Sequence, residues 1–445
     1  MLTFAQIIQD AQLPTDLFAH YTETTTPVIR YATPTATGTG DGSSWDNAGT
    51  FVNVMDDISD ATANKVYVVL VASGTYTHTA SFAMKNNVAI VGGFTAGSFS
   101  RGTDATVFDG ENTRRVFNNE FTAEAPLTNS ALLYGVTITK GDAATDNGGG
   151  MQNENASPIL NNVTLSGNSA TNNGGGMFNF SSSPILNNVT FSSNTAKWGG
   201  GMANQNSSSP ILNNVTLSGN SAGNGGGMTN QSSSSPILNN VTLSGNTAAE
   251  GGGMFNNVSS IPILNNVTIS GNSATSNGGG IYLDNATLTL VNSIVWGNTG
   301  AGNIYVLDDS DYETINLYNS ILEGGTTAST TATGIRLKNG SPAGALTVNT
   351  NALVTTNPNL VALADNGGSV QTMAIPATSS ALNIGLYIRQ SATTFYYSSD
   401  ASNWYSDLAL GTAATLPAGA SNPIATDARG TARSTRPDAG AFEVQ

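Results

Sequence analysis

Four carboxylates crowd into the segment LDDSDYE: Asp308, Asp309, Asp311 and Glu313. Oxygen donors at that density could gather a Ca²⁺ ion. Their spacing departs from the D-x-[DN]-x-[DN]-G loop, so the expectation is a solvated acidic turn, with no metal and no other cofactor. A second cluster, Arg101, Asp104, Asp109, Glu111, Arg114 and Arg115, mixes signs and reads as surface ion pairs. The two histidines, His20 and His78, stand apart from both and are expected to be incidental. An aromatic insert, TTFYYSSDASNWYSD, brings Phe395, Tyr396, Tyr397, Trp404 and Tyr405 together. Exposed aromatics mark interfaces, so this is a candidate recognition patch, and packing onto the body of the protein is the competing reading. Polysaccharide cleavage needs clustered carboxylates and a base. Between residues 148 and 280 the charged side chains are Glu154, Lys197 and Glu250 alone, with no histidine, so no catalytic cleft is expected there and the chain reads as a non-enzyme.

The elements that would position these groups follow from composition and pattern. The chain has 445 residues, of which 39% are hydrophobic and only 10% charged; Gly, Ser, Thr and Asn make up the difference, so this is not the composition of a charged disordered tail. A net charge of -15 with no basic stripe disfavours nucleic acid and anionic membranes as partners. With no cysteine there are no disulfides and no thiolate metal sites. No run approaches a membrane span, and MLTFAQIIQDAQLPTDLFAHY lacks the basic start and unbroken apolar core of a signal peptide.

The dominant signal is repetition. GGG blocks precede Met151, Met177, Met202, Met228, Met254 and Ile281, at steps of 26, 25, 26, 26 and 27 residues. Between them runs SPILNNVTLSGNSA or a close variant. Its second Asn recurs as Asn162, Asn188, Asn214, Asn240 and Asn266, then as Asn292 and Asn319. Another recurs as Asn168, Asn194, Asn220, Asn246, Asn272 and Asn298. Three Gly and one Pro per unit exclude a helical repeat. Val189 and Phe191 alternate with Thr190 and Ser192, the period of a strand with one face inward. Short strands wound about 26 residues per coil predict an all-β fold, a right-handed parallel β-helix. Leu186 should lie between Leu160 and Leu212, with rungs about 4.8 Å apart. The Asn162 column should sit at a bend and ladder side chain to side chain, and the glycines should serve another corner through positive φ or close backbone approach. The same Asn residues match the N-glycosylation sequon but are expected inside the stack.

Residues 1–28 read as a separate amphipathic segment, a further cap or an oligomer contact. Residues 29–65 read as an N-terminal cap, with Phe51, Met55 and Ile58 on one face of a short helix over the first coil. The β-helix is expected over 66–365, regular over 148–298, with a capping module at 366–445. Ile294, Trp296 and Ile321 replace the outward Thr and Ser of the repeat, so a cover is expected there, supplied by the C-terminal region. Thr164/Ser166, Thr190/Ser192, Thr216/Ser218, Thr242/Ser244 and Thr268/Ser270 should form a flat outward grid, either a plain soluble face or a contact for ice or a glycan. Roughly eleven coils would make a rod on the order of 50 Å long.

GGGM…SPILNNVTLSGNSA resembles the repeats of chlamydial-type polymorphic outer membrane proteins and related bacterial surface β-helix proteins. RYATPTATGTGDGSSWDNA, SGTYT and VAIVGGF resemble that family's entry coils, and NSIVWGN its late ones. SALNIG with ATDARGTARSTRPDAGAFE is similar to a choice-of-anchor closing module, on Asp427, Gly430, Arg433, Asp438, Gly440, Ala441, Phe442 and Glu443. The resemblance spans about residues 29–445. It implies an extracellular or cell-surface bacterial protein of structural or adhesive role, partnering itself, other surface proteins or glycans, and open to assembly as a homo-oligomer, filament or sheath. A carbohydrate-binding or carbohydrate-active β-helix is the alternative.

Overall fold

The computed structural model describes residues 3–21, 26–307, 313–329, 332–338, 346–351, 353–366, 370–376, 378–381, 387–391, 394–398, 404 and 439–440. The chain winds as a parallel β-solenoid of about nine turns with about 26 residues per turn. This is fewer than the eleven coils expected, because the first and last windings put strands on only part of the perimeter: Val28–Ala32 and Thr347–Asn351 each pair within a single face.

One regular winding shows why the sequence folds this way. Met177–Phe180, Ile185–Asn187, Thr190–Ser192 and Thr195–Trp198 are its four strands, lying on what we term the Met, Ile-Leu-Asn, Thr/Ser and short faces. Each pairs in register with its counterparts above and below. Leu186 lies between Leu160 and Leu212, and Phe191 between Leu165 and Leu217. These residues, with Met177 and Val189, are fully buried in one core that runs the length of the rod. Each such side chain contributes about 1.5–3 kcal/mol by leaving water. The Thr/Ser face has ten strands and the short face seven. The long strand Ile281–Val291 passes through the corner between the Met and Ile-Leu-Asn faces and pairs on both, fusing them into one 20-stranded sheet.

The triple glycine satisfies two conditions at once. Gly174 has φ +65, where a Cβ is disfavoured. A Cβ on Gly175 would stand 2.5 Å from the Thr195 carbonyl and 2.6 Å from that of Gly200, so the neighbouring windings leave no room for a side chain. The tight corner folds back over the Met face. The outward residues Phe178, Ala203, Thr229, Phe255 and Tyr282 are therefore buried, and Phe255, Tyr282 and Tyr305 stack with ring centroids 4.7 and 5.3 Å apart.

The N-terminal end is finished. Helix α2 (Phe51–Asp57), capped by the Thr50 hydroxyl accepting from the Asn53 N–H, buries Phe51, Val54 and Met55 in the mouth of the first winding. Edge-to-face aromatic contacts join Phe51, Phe82 and Phe108 there. The outer edge of Val28–Ala32 is occupied as well: Tyr31 donates its N–H to the Gly42 carbonyl, and Gly49 donates to Tyr31. Helix α1 (Phe4–Ala11) starts at a capping box on Thr3 and Gln6. It does not cap the end. With Leu13, Leu17, Phe18 and Tyr21 it lies on the outside of the Ile-Leu-Asn face, over Val68, Leu70, Ala89, Val91 and Leu132.

Candidate interaction surfaces

The polar columns are the most regular feature, and three behave differently. Asn162, Asn188, Asn214, Asn240, Asn266, Asn292 and Asn319 all adopt positive φ, between 48 and 55, at the corner after the Ile-Leu-Asn face. Asn tolerates this region better than most residues. Asn214 donates to Asn188 (3.2 Å), Asn240 to Asn214 (3.1 Å) and Asn292 to Asn266 (3.1 Å). At the lower end Asn162 donates to the Tyr134 hydroxyl.

The column Asn168–Asn298 is bound more tightly. The Asn194 Oδ1 accepts from both the backbone N–H and the Nδ2 of Asn168, each at 3.0 Å, and its own Nδ2 donates to the Leu165 carbonyl and to Asn220. A third column, Asn119, Asn153, Asn179, Asn204, Asn230 and Asn256, is fully buried and donates in one direction at 2.8–3.0 Å. Sequence reasoning missed it. Its signal was the shared third letter of MQN, MFN, MAN and MTN, which places Asn two residues from an inward Met and hence inward too. These amides hold the backbone of a solenoid; they are occupied by one another.

The outward Thr/Ser grid is open only in part. Thr164/Ser166 and Thr190/Ser192 are half-exposed, whereas Thr216, Thr242 and Thr268 are buried, as are Ser244 and Ser270. The C-terminal segment lies on them: the Thr216 hydroxyl donates to the Gln371 carbonyl at 2.6 Å. Ile294, Ile321, Ile375, Ala381 and Ala439 form one buried cluster, with Trp296 half-buried beside it. The cover expected over Ile294 and Trp296 is therefore present.

The other candidates separate. Asp308, Asp309 and Asp311 lie outside the described residues. Glu313 is buried, and its carboxylate accepts from the Asn285 N–H at 3.2 Å. It is thus a packed group rather than part of a solvated turn. Among the described residues no group of three metal-ligating side chains converges. Of the aromatic insert, Phe395, Tyr396 and Tyr397 fall on a strand, Thr394–Ser398, paired antiparallel with Tyr387–Ser391. Tyr397 is buried against Val291, Tyr318 and Ile388, and this burial pushes its phenol well above its usual range. Tyr397 therefore packs onto the rod and is no surface contact. Trp404 is half-exposed, and Tyr405 lies outside the described residues.

The mixed charges form scattered pairs, as expected: Arg114 with Glu111 (2.6 Å), Arg115 with Asp146 (2.8 Å) and Lys140 with Asp109 (2.8 Å). Arg101 lies over the Tyr134 ring, 4.9 Å from its centroid. Among Asp427, Gly430, Arg433, Asp438, Gly440, Ala441, Phe442 and Glu443, only Gly440 falls within the described residues. Two clefts of about 120 and 250 Å³ flank α2 and share Phe51, Val52, His78 and Phe82. The His78 Nδ1 accepts from the Ala80 N–H at 3.2 Å.

The geometry defines the class: a parallel β-solenoid with amide-laddered corners and strapped faces. Comparison with known families adds one match. The model of the Chlamydia polymorphic membrane protein (Chlamydia_PMP) repeat fits residues 266–284, which run from one Asn162-type corner through the next glycine block. No match was found among curated proteins. One similar solved structure is a pectate lyase, Pel9A, at 13% identity and a TM-score of 0.43, with 96% of this chain and 98% of that chain covered. At that likeness nothing about activity passes to this chain. No helix among the described residues is long and apolar enough to cross a membrane.

Proposed function

We propose that this protein is a structural or adhesive rod of a bacterial cell surface. The observation that carries the reading is the continuous stack of parallel strands from Val28–Ala32 to Thr347–Asn351, with its mouth plugged by α2 and its flanks strapped. About nine turns at roughly 4.8 Å each give a stiff body on the order of 45 Å long. Such a body spaces one unit from another and presents flat, weakly charged faces. The polymorphic-membrane-protein-type repeat at 266–284 supports a surface location. Assembly of such rods proceeds side by side rather than end to end, because the Val28–Ala32 edge already donates to and accepts from Gly42 and Gly49. The test is immunogold electron microscopy of the producing bacterium with antibody to the purified chain. Decoration of intact cells is expected. Label that appears only after permeabilisation overturns the reading.

A further inference from the structure

A recess opens at the capped end of the rod, between α2 and the segment 77–85 that follows strand Gly74–Tyr76. Its two hollows, of about 120 and 250 Å³, have Val52 and His78 in common. The recess exists because α2 stands where a lower winding would. Phe82 begins the inward column that continues as Phe117, Met151 and Met177, and Phe51 of α2 meets it edge to face at 5.5 Å. A helix of seven residues is only about 10 Å long. It covers less than a winding of about 26 residues encloses, so a margin stays open beside Val52.

The recess has an apolar floor and a polar rim. Phe51, Met55 and Phe82 are buried and form the floor of the larger hollow, and Val52 is half-buried at its wall. The His78 ring stands over Phe82, with centroids 6.3 Å apart. Its orientation is fixed: Nδ1 accepts from the Ala80 N–H at 3.2 Å, so the neutral ring carries its proton on Nε2. Among the described residues that Nε2 N–H meets no acceptor, and the Asp56 carboxylate on the same rim meets no donor. Lys85 also borders the hollow, but its ammonium is engaged: it donates to the Met55 and Ile58 carbonyls at 2.5 and 2.8 Å and so satisfies the C-terminal end of α2.

Size and polarity together define the ligand. An apolar cavity of about 150 Å³ already takes a benzene ring, so the larger hollow takes one six-membered ring with its substituents. A ring that suits it is apolar on one face and bears both donors and acceptors at its edge. The rim carboxylate and the net charge of -15 turn away an acidic one. We propose that this recess binds one sugar ring of a neutral glycan, with the apolar face of the ring on Phe82 and Val52, one hydroxyl donating to Asp56 and another accepting from His78 Nε2. The inference rests on the adhesive reading of the rod and names the chemical class of its partner.

The test uses the full chain, Asp56→Ala and His78→Ala. The probes are the methyl glycosides of glucose, galactose, mannose and N-acetylglucosamine, with glucuronate as the acidic comparison. Amide chemical shifts of Val52, Ala80 and Phe82 read the recess, and the Leu186 amide controls for the fold. So small a ligand binds weakly, with a Kd on the order of 1 mM. Saturable shifts confined to the recess are expected with at least one neutral glycoside and not with glucuronate. Each substitution removes one polar contact and should weaken binding by about tenfold. Should His78→Ala disturb the Leu186 amide, Asp56→Ala decides alone, because Asp56 is exposed and its loss leaves the packing of α2 intact. The absence of saturable shifts with all four neutral glycosides overturns the inference and leaves the surface reading standing, since decoration of intact cells does not depend on the recess. Glucuronate binding as tight as that of the neutral sugars overturns it too, as does binding that Asp56→Ala leaves unchanged.

Discussion

Replacing Asn194 with Ala separates structural ladders from decorative ones. Asn194 is fully buried and does not sit in the left-handed region, so Ala meets no backbone strain there. The substitution deletes four hydrogen bonds. Two of the abandoned groups keep a partner: Asn168 Nδ2 still donates to the Ile138 carbonyl, and Asn220 Oδ1 still accepts from the Asn194 N–H. The backbone N–H of Asn168 loses its side-chain acceptor inside the core. One orphaned donor costs about 1–3 kcal/mol, and the three other bonds about 0.5–1 each, so the loss should be about 3 kcal/mol or more. Asn188→Gly is the contrast. It gives up a single half-buried 3.2 Å side-chain bond in its column, and glycine accepts φ +55 freely, so the change should stay within about 1 kcal/mol. Denaturant unfolding followed by circular dichroism measures both, and hydrogen exchange at Asn168 gives the local reading, since stacked repeats need not unfold as one unit. If Asn194→Ala costs less than about 1 kcal/mol, the ladder does not hold the windings together and the reasoning fails.

Other outcomes follow from the same geometry. Leu186→Ala should lower stability by about 2–5 kcal/mol, because the layers above and below are fixed by register and cannot collapse into the space; denaturant midpoints check this. Gly175→Ala should be among the worst single changes in the array, with its Cβ placed 2.5 Å from the Thr195 carbonyl; loss of cooperative thermal unfolding is the expected sign. Partial burial pushes the His20 imidazole, whose ring lies 3.9 Å from that of Tyr21, down to about 4. The unfolded segment, titrating near 6.5, binds the proton more readily than the folded one. The hold of the N-terminal strap is therefore complete above pH 6.5 and falls as pH drops toward 4. Since much of the His20 surface is exposed, the loss should be no more than about 1 kcal/mol. Exchange of the α1 amides at pH 7 and 4.5 measures it, and His20→Phe should abolish the difference.

The array was legible because its physics is local and periodic. Val189 and Phe191 alternate over two residues, Leu186 recurs every winding, and the glycines mark a corner that nothing larger could turn. What lay hidden depends on contacts distant in sequence. Phe255 and Tyr282 point outward within their strands, yet they are buried against each other, Trp198 and Tyr305. Thr216 and Thr268 carry the same letters as Thr164, and only the returning C-terminal segment makes them buried. Tyr397 could be read either as part of a recognition patch or as packed onto the rod, and only Tyr318, nearly eighty residues earlier, decides for packing. The α1 segment announced its apolar face, but nothing local said that the face would lie against the flank of the rod and not its end. The Asn179 column was written in the sequence and overlooked, since a polar residue two places from an inward Met is easily assigned to solvent.

The stacking itself can be tested directly because the chain has no cysteine of its own. Thr164 and Thr190 are register partners on adjacent strands, whereas Thr164 and Thr216 are two windings apart. Adjacent parallel strands place Cα atoms within the range a disulfide spans, about 4.4–6.8 Å, and a separation of two rungs lies beyond it. Mild oxidation of the Thr164→Cys/Thr190→Cys protein should therefore form an intramolecular disulfide, scored by gel mobility and mass spectrometry, while Thr164→Cys/Thr216→Cys should stay reduced. Equal crosslinking of both pairs, or of neither, would contradict the stack.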